Sequence, residues 1–117
     1  GLGVHLYRML KYSQCGADLI WANVPIIEDA RGLTPDKALW NTIKNNSGYI
    51  RRNINWKTKK KVENDFILFD PQTSGGLLFS VSSDKVEKIK EEFKKNELPL
   101  YYLGKINEDK TAILNII

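Results

Sequence analysis

The residues with the most suggestive chemistry form one short segment, Asp70 to Leu78, which reads Asp-Pro-Gln-Thr-Ser-Gly-Gly-Leu-Leu. It places turn-forming and oxygen-bearing residues between two short apolar runs. Its two adjacent glycines allow unusual backbone angles and a close approach to another group, and such a turn can present several backbone N–H groups to an oxyanion or phosphate. The same residues also suit a tight connection whose glycines merely let a strand pass close to a helix, and chemistry alone favours this second interpretation. The segment is not a P-loop, because no lysine follows the glycines.

Individual reactive residues are scarce. The sequence has one cysteine, Cys15, and one histidine, His5, which excludes an internal disulfide and any multi-cysteine or multi-histidine metal site. We interpret Cys15 as a small buried apolar residue rather than a nucleophile, and His5 as a buried or capping residue rather than a proton carrier. Asp70 is expected to cap its turn rather than to bind metal. We therefore assign no catalytic residue and no metal ligand to this chain.

The chain carries 18 Lys and Arg against 14 Asp and Glu, a formal net charge of +4. Phosphate binding needs positive charge clustered on one face, whereas the lysines are spread along the sequence. The one dense run, Lys57 to Lys61 beside Arg51, Arg52 and Trp56, is typical of a solvated loop. We therefore expect no nucleic-acid partner. Because the apolar runs are too short to span a membrane and cysteine is rare, we also expect a soluble, cytoplasmic protein with no membrane partner.

The elements that must position the loop follow from hydrophobic periodicity. A first helix has its apolar stripe at Leu2, Leu6 and Leu10 and is expected to end at Gly16. A second is expected to begin at Thr34 as N-cap and to end by Gly48. A third follows residues 83–84, and residues 25–30 suit a single helical turn. Strands are predicted at 17–21, 77–81, 100–106 and 111–116, with the last two as a hairpin. Residues 65–69 fit either a helical turn or a strand, and 49–63 are expected to be irregular.

This order of elements, in 117 residues with 42% hydrophobic side chains, predicts one α+β domain. We expect two layers, with helices packed on one face of a mixed sheet of about four strands.

The nine residues Asp70 to Leu78 are similar to the signature of the selenophosphate synthetase family, also called selenide, water dikinase, within the aminoimidazole ribonucleotide synthetase superfamily. Weaker similarity follows in order along nearly all of the chain. Gly1 to Leu6 resembles the family's Gly-Phe-Gly-Leu-x-Gly-His-Leu motif, although Val4 stands where the family has the glycine before His. Residues 25–27 resemble its Leu-Pro-Leu-Leu segment, 48–53 its Gly-x-x-x-x-Asn stretch, and 103–106 its ending. All of these belong to the family's C-terminal domain, so the resemblance implies the fold of that domain.

The resemblance implies an enzyme that makes selenophosphate from selenide, ATP and water, with AMP and phosphate released and Mg²⁺ required. In that family the reactive Cys or selenocysteine, a Lys and the Mg²⁺-binding aspartates lie in the N-terminal domain. Residues 1–117 are therefore expected to be the C-terminal domain of a longer enzyme, inactive alone, with the N-terminal domain and a homodimeric copy as partners. Two alternatives to this assignment remain. The chain could belong to another ATP-dependent member of the superfamily, or it could be a non-catalytic RNA-binding module built on residues 49–61.

The resemblance also implies roles for individual residues in such an enzyme. The loop and the start of the first helix are expected to face the nucleotide or the substrate through Gly1, Gly3, Thr73, Ser74, Gly75 and Gly76. Turn or capping roles are expected for Asp70, Pro71, Gln72, His5 and Asn53.

Overall fold

A mixed four-stranded sheet and three helices make up the fold in a computed structural model that describes residues 1–57, 65–72 and 74–117. The helices are α1 (Leu2–Ser13), α2 (Lys37–Ile50) and α3 (Val86–Lys95). The strands are β1 (Gly16–Leu19), β2 (Ile54–Trp56), β3 (Gly104–Asn107) and β4 (Leu114–Ile116). Short 3₁₀ turns occur at Trp21–Asn23, Glu28–Ala30, Arg51–Asn53, Asp65–Phe69 and Ser83–Lys85. The predicted α+β class is confirmed.

The strand order is β2-β4-β1-β3. Strand β4 runs parallel to both β1 and β2, and β3 runs antiparallel to β1. The predicted hairpin between the last two strands is therefore wrong, because β1 lies between them. The parallel position of β4 gives it neighbours on both sides and leaves Leu114 and Ile116 with no exposed surface. Burial of these two side chains favours this arrangement over an edge hairpin.

One predicted strand is absent, and one observed strand was not predicted. Residues 77–81 form no strand, and the Leu77 side chain is 94% exposed. Strand β2 instead lies in the stretch predicted to be irregular, where its three residues are too few for a period to be recognised in the sequence. In the lysine run that was expected to form a solvated loop, Lys57 follows β2 directly, and the remaining lysines lie outside the described residues.

The helix ends differ from the predictions by a few residues. Helix α1 is followed by Gln14 in the left-handed conformation, with a φ of 51°, whereas Gly16 already belongs to β1. The N-cap of α2 is Asp36 rather than Thr34, since a carboxylate oxygen of Asp36 accepts a hydrogen bond of 2.8 Å from the N–H of Leu39. The same helix continues through the predicted stop at Gly48 to Ile50. Residues 65–69 form a 3₁₀ turn rather than a strand.

The core lies between the sheet and the first two helices. Helix α1 contacts α2, β1 and the 3₁₀ turn at 65–69. The largest fully buried side chains come from all of these elements: Leu10, Leu19, Ile50, Leu68, Leu114 and Ile116. Helix α3 contributes no buried residue and packs through half-buried side chains, with Phe93 against Phe79 at 6.1 Å between ring centroids. None of the described helices is both long and apolar enough to cross a membrane.

A row of polar side chains crosses the three parallel strands. Asp18, Asn115 and Asn55 occupy matching register positions on β1, β4 and β2. The Asn115 amide donates to the Asp18 carboxylate at 2.6 Å and accepts from the Asn55 amide at 3.2 Å. Asn115 is buried, and because a buried amide without partners is costly, this row specifies which strands pair and in which register.

Candidate functional site

The start of α1 and the chain that leads into the loop are packed together. A Cβ added at Gly1 would lie 2.7 Å from the carbonyl carbon of Phe69, and one added at Gly3 would lie 2.9 Å from Cγ of Leu68. Real Cβ atoms essentially never come so close to neighbouring heavy atoms. Both positions therefore require glycine for packing within the chain. This close approach brings the predicted residues Gly1 and Gly3 to the base of the predicted loop.

Helix α2 fixes the same segment from its other side. The Asn46 amide donates a hydrogen bond of 2.8 Å to the carbonyl oxygen of Phe69, and the side chains of Leu68 and Phe69 are buried in the core. The polypeptide is thus held by α1 and α2 up to Asp70, where the loop begins. No feature of the sequence points to Asn46. It is one of several asparagines near the predicted helix end and carries no signal of its own in the sequence.

The loop beyond Asp70 projects from this base into solvent. Asp70 is half-buried, its N–H bonds to the carbonyl oxygen of Ile67 at 3.3 Å, and its carboxylate accepts a bond of 3.5 Å from the Gln72 amide. Because this contact is with a side-chain amide and not with a backbone N–H, the turn-capping role of Asp70 stays a prediction. Further along, the exposed residues of the loop are Pro71, Gln72, Ser74, Gly75 and Gly76, and Thr73 lies outside the described residues.

The two loop glycines differ from those of α1. A Cβ at Gly75 would have only Gln72 Oε1 nearby, at 3.9 Å, and one at Gly76 would meet no atom within 4 Å. Neither glycine has a φ in the left-handed range. Packing against the described part of the chain therefore does not require glycine at either position.

The electrostatics at the start of α1 are set by burial and by two nearby charges. Gly1 is partly buried, and the negative charge of Asp70 and the positive charge of Arg8 lie near it. Helix α1 has no side-chain N-cap and no acidic residue in its first turn. The positive end of its helix dipole is consequently not neutralised by the helix itself.

The remaining predicted residues lie away from the loop. His5 is exposed on α1, so the buried alternative of its expected buried or capping role is wrong, and the capping role stays a prediction. The inward face of this helix is formed by the residues on either side of His5. Cys15 is half-buried and packs against the core. The Asn53 amide donates to the carbonyl oxygen of Thr111 at 3.1 Å, which ties the turn after α2 to the connection between β3 and β4.

The described residues contain no group of three His, Cys, Asp or Glu side chains able to hold a metal ion. One cavity of about 530 Å³ lies along α2 and is lined by Lys37, Trp40, Asn41 and Lys44. Another, of about 720 Å³, lies at the end of α2 and is lined by Gly48, Tyr49, Arg51, Arg52 and Asn53. Neither cavity includes a residue of the loop.

Comparison with known proteins gives consistent results. A family model described as AIR synthase related protein, C-terminal domain, matches residues 1–116. A protein of Carboxydothermus hydrogenoformans is 31% identical over 114 residues, which cover 97% of this chain and 33% of that protein. One from Caldanaerobacter subterraneus is 32% identical over 109 residues, covering 92% and 31%, and one from Treponema denticola is 35% identical over 97 residues, covering 79% and 26%. All three are named selenide, water dikinase. The chain spans about one third or less of the length of these relatives.

Proposed function

The chain belongs to the family described as AIR synthase related protein, C-terminal domain, and from this premise we propose that it serves as the C-terminal domain of a selenide, water dikinase. The supporting observation is its similarity to relatives of that name over as much as 97% of its residues. In the proposed reaction ATP, selenide and water yield selenophosphate, AMP and phosphate. The complete enzyme is proposed to comprise an N-terminal domain that carries the reactive groups, and to act as a homodimer in the cytoplasm.

Within that enzyme we assign this domain to one wall of the nucleotide and substrate cleft. Two features of the geometry support this assignment. The base of the loop is held by α1 and α2, whereas Ser74, Gly75 and Gly76 are exposed, so the loop tip is free to approach a ligand. The uncapped start of the 12-residue helix α1 lies at the same base, and free N–H groups at a helix start favour anions such as phosphate.

The required metal is assigned elsewhere in the enzyme. The chemistry of Mg²⁺ calls for carboxylate and phosphate oxygens, and the described residues offer no cluster of acidic side chains. When bound, the metal would neutralise charge that develops on the phosphates. The proposed contribution of these residues is to bind and position the nucleotide and the substrate. The 117-residue chain is accordingly expected to have no activity alone.

The cleft assignment is tested by Gly75→Val in the complete enzyme. A branched side chain at Gly75 would occupy the space where a ligand is expected to approach, and kcat/KM for selenide-dependent AMP release should fall about tenfold or more, which corresponds to about 1.4 kcal/mol or more of lost transition-state stabilisation. The matched control is Gly32→Val, since Gly32 also has open space around its Cβ position but lies in a different turn. Both variants should retain the thermal unfolding midpoint of the parent.

Different outcomes test the role of the loop, the identity of the reaction and the division of roles between the two domains. Full turnover by a folded Gly75→Val enzyme would remove the loop from the cleft while leaving the reaction itself unchallenged. Release of AMP or ADP that does not depend on selenide would instead indicate another ATP-dependent member of the superfamily. Appreciable turnover by the 117-residue chain alone would contradict the proposed division between the two domains.

A further inference from the structure

Three of the four arginines in the sequence gather around one tyrosine. Arg8 projects from α1 and places its guanidinium carbon 5.8 Å from the ring centroid of Tyr49 on α2. Arg51 and Arg52 follow α2 directly and line the same cavity as Tyr49. We call these four residues the arginine face. Tyr49 is 54% exposed and is supported from behind by Tyr7, whose ring centroid lies 5.8 Å away in an edge-on arrangement.

The cavity at this face has the size of a ligand site. Its volume of about 720 Å³ falls within the range of about 300–1,000 Å³ that is typical of sites for small organic ligands. Its lining residues include two arginines, Tyr49 and Asn53. Planar guanidinium groups match the oxygens of phosphate in a paired geometry and also stack on aromatic rings.

Among residues 1–57, 65–72 and 74–117, no side-chain ion pair involves an arginine of this face. Across the residues that the structure describes, side-chain ion pairs join Arg31 to Glu28 and Lys90 to Glu87, and Arg8, Arg51 and Arg52 take no part in them. A position at the end of α2 lets two arginines offset the negative end of the helix dipole. That effect does not explain why Arg8, from a different helix, converges on the same tyrosine.

We propose that the arginine face binds a nucleotide unit, with its phosphate held by Arg51 and Arg52 and its base packed against Tyr49 and Arg8. Cationic side chains interleaved with an aromatic platform are the usual means of binding single-stranded nucleic acid, and stacking contributes to it for every base. The same chemistry would hold a free nucleotide. The expectation of no nucleic-acid partner rested on the spread of the lysines and on the interpretation of the run beside Arg51 and Arg52 as a solvated loop. The folded chain adds Arg8, from a different helix, to the same tyrosine. This inference is independent of the proposed dikinase reaction.

The test measures binding of a fluorescently labelled oligouridylate of about ten nucleotides, a length suited to single-strand sites, to the 117-residue chain by anisotropy. AMP is titrated separately and as a competitor. The double variant R51Q/R52Q should weaken oligouridylate binding about tenfold or more. Because each phosphate contact on a single strand contributes about −0.7 to the slope of log K against log salt, it should also make that slope shallower by about 1.4. The matched control is R31Q, which removes the fourth arginine from an exposed turn.

Retained binding by R31Q together with loss in R51Q/R52Q supports the proposal. If AMP competes as effectively as unlabelled oligouridylate, the ligand is a free nucleotide; if only the oligouridylate competes, it is a single strand. R31Q removes one positive charge and R51Q/R52Q removes two, so a net-charge effect would make R31Q weaken binding by half as much on a logarithmic scale. That result would overturn the proposal, as would absence of binding at about 50 mM salt. Should the double variant unfold, R8Q on the exposed face of α1 tests the same site and should weaken binding about threefold.

Discussion

The packing of α1 against the base of the loop makes a prediction about the stability of variants at two helical glycines, Gly3 and Gly48. Gly3 and Gly48 each lie in the terminal turn of a helix. A Cβ at Gly3 would lie 2.9 Å from Leu68 Cγ and 3.2 Å from the Leu68 carbonyl oxygen, whereas a Cβ at Gly48 would meet no atom within 4 Å. Gly48→Ala should therefore stabilise the chain, whereas Gly3→Ala should make it less stable than Gly48→Ala.

The magnitudes follow from two competing effects. Alanine in place of glycine stabilises a helix by about 0.5–1 kcal/mol, and Gly48→Ala should show this gain. Gly3→Ala has the same gain but forces the side chain of Leu68, which is 1% exposed, to move within a packed core. Such overpacking costs about 1–3 kcal/mol. The helix contribution cancels between the variants, so Gly3→Ala should be less stable than Gly48→Ala by about 1–3 kcal/mol.

The measurement is urea and thermal unfolding followed by circular dichroism and tryptophan fluorescence. For a chain of this length about 1 kcal/mol shifts the midpoint by about 4 °C. Gly48→Ala should therefore unfold about 2–4 °C above the parent, and Gly3→Ala about 4–12 °C below Gly48→Ala. Equal stability of the two alanine variants would refute the inferred packing of α1 against the loop base, because only that contact separates them.

Three further changes test other parts of the fold. Asn115→Ala should lower the free energy of unfolding by about 1–3 kcal/mol, since it leaves the Asp18 carboxylate without its buried partner; urea unfolding measures this. Asp36→Ala should cost about 0.5–2 kcal/mol through loss of the N-cap of α2, and reduce helicity by circular dichroism. Hydrogen bonds from Thr111 lower the pKa of Asp109 below the usual 3.8, and the hydroxyl contributes more to this shift than the backbone N–H. The stabilisation from this contact is therefore present above pH 3.8 and is lost as the pH falls through the lowered pKa. Thr111→Val should reduce stability at neutral pH, and this difference should disappear at acid pH in unfolding measured across a pH series.

Each of these changes has its own control or refuting result. Asn55→Ala removes a longer and more exposed contact of the same polar row. If it lowers the free energy of unfolding as much as Asn115→Ala does, the bond between Asn115 and Asp18 is not the main contribution of the row. Thr34→Ala should leave α2 unchanged, and a loss of helicity there would restore Thr34 as the cap. A stability difference for Thr111→Val that stays constant from acid to neutral pH would show that Asp109 is not involved.

Local patterns in the sequence were sufficient for the helices and for the position of the loop. The spacing of Leu2, Leu6 and Leu10 predicts α1 because a period of 3.6 places those side chains on one face. The Asp70 to Gly76 turn is recognisable from residue types that favour turns. Helix ends were less accurate, since a cap depends on which oxygen reaches a free N–H, as Asp36 does in place of its neighbours.

Tertiary structure alone decided the strand order and the groups that surround the candidate sites. Residue types do not reveal that β1 separates β3 from β4, because the pairing reflects burial and hydrogen bonding between residues as far apart as Asp18 and Asn115. Nor does the sequence show that Arg8 meets Tyr49, since the crossing of two helices brings them together. The sequence by itself therefore determined the α+β class, the loop and the family resemblance, which depend on neighbouring residues. Only the folded chain decided which distant residues share a surface, because that is set by packing across the whole core.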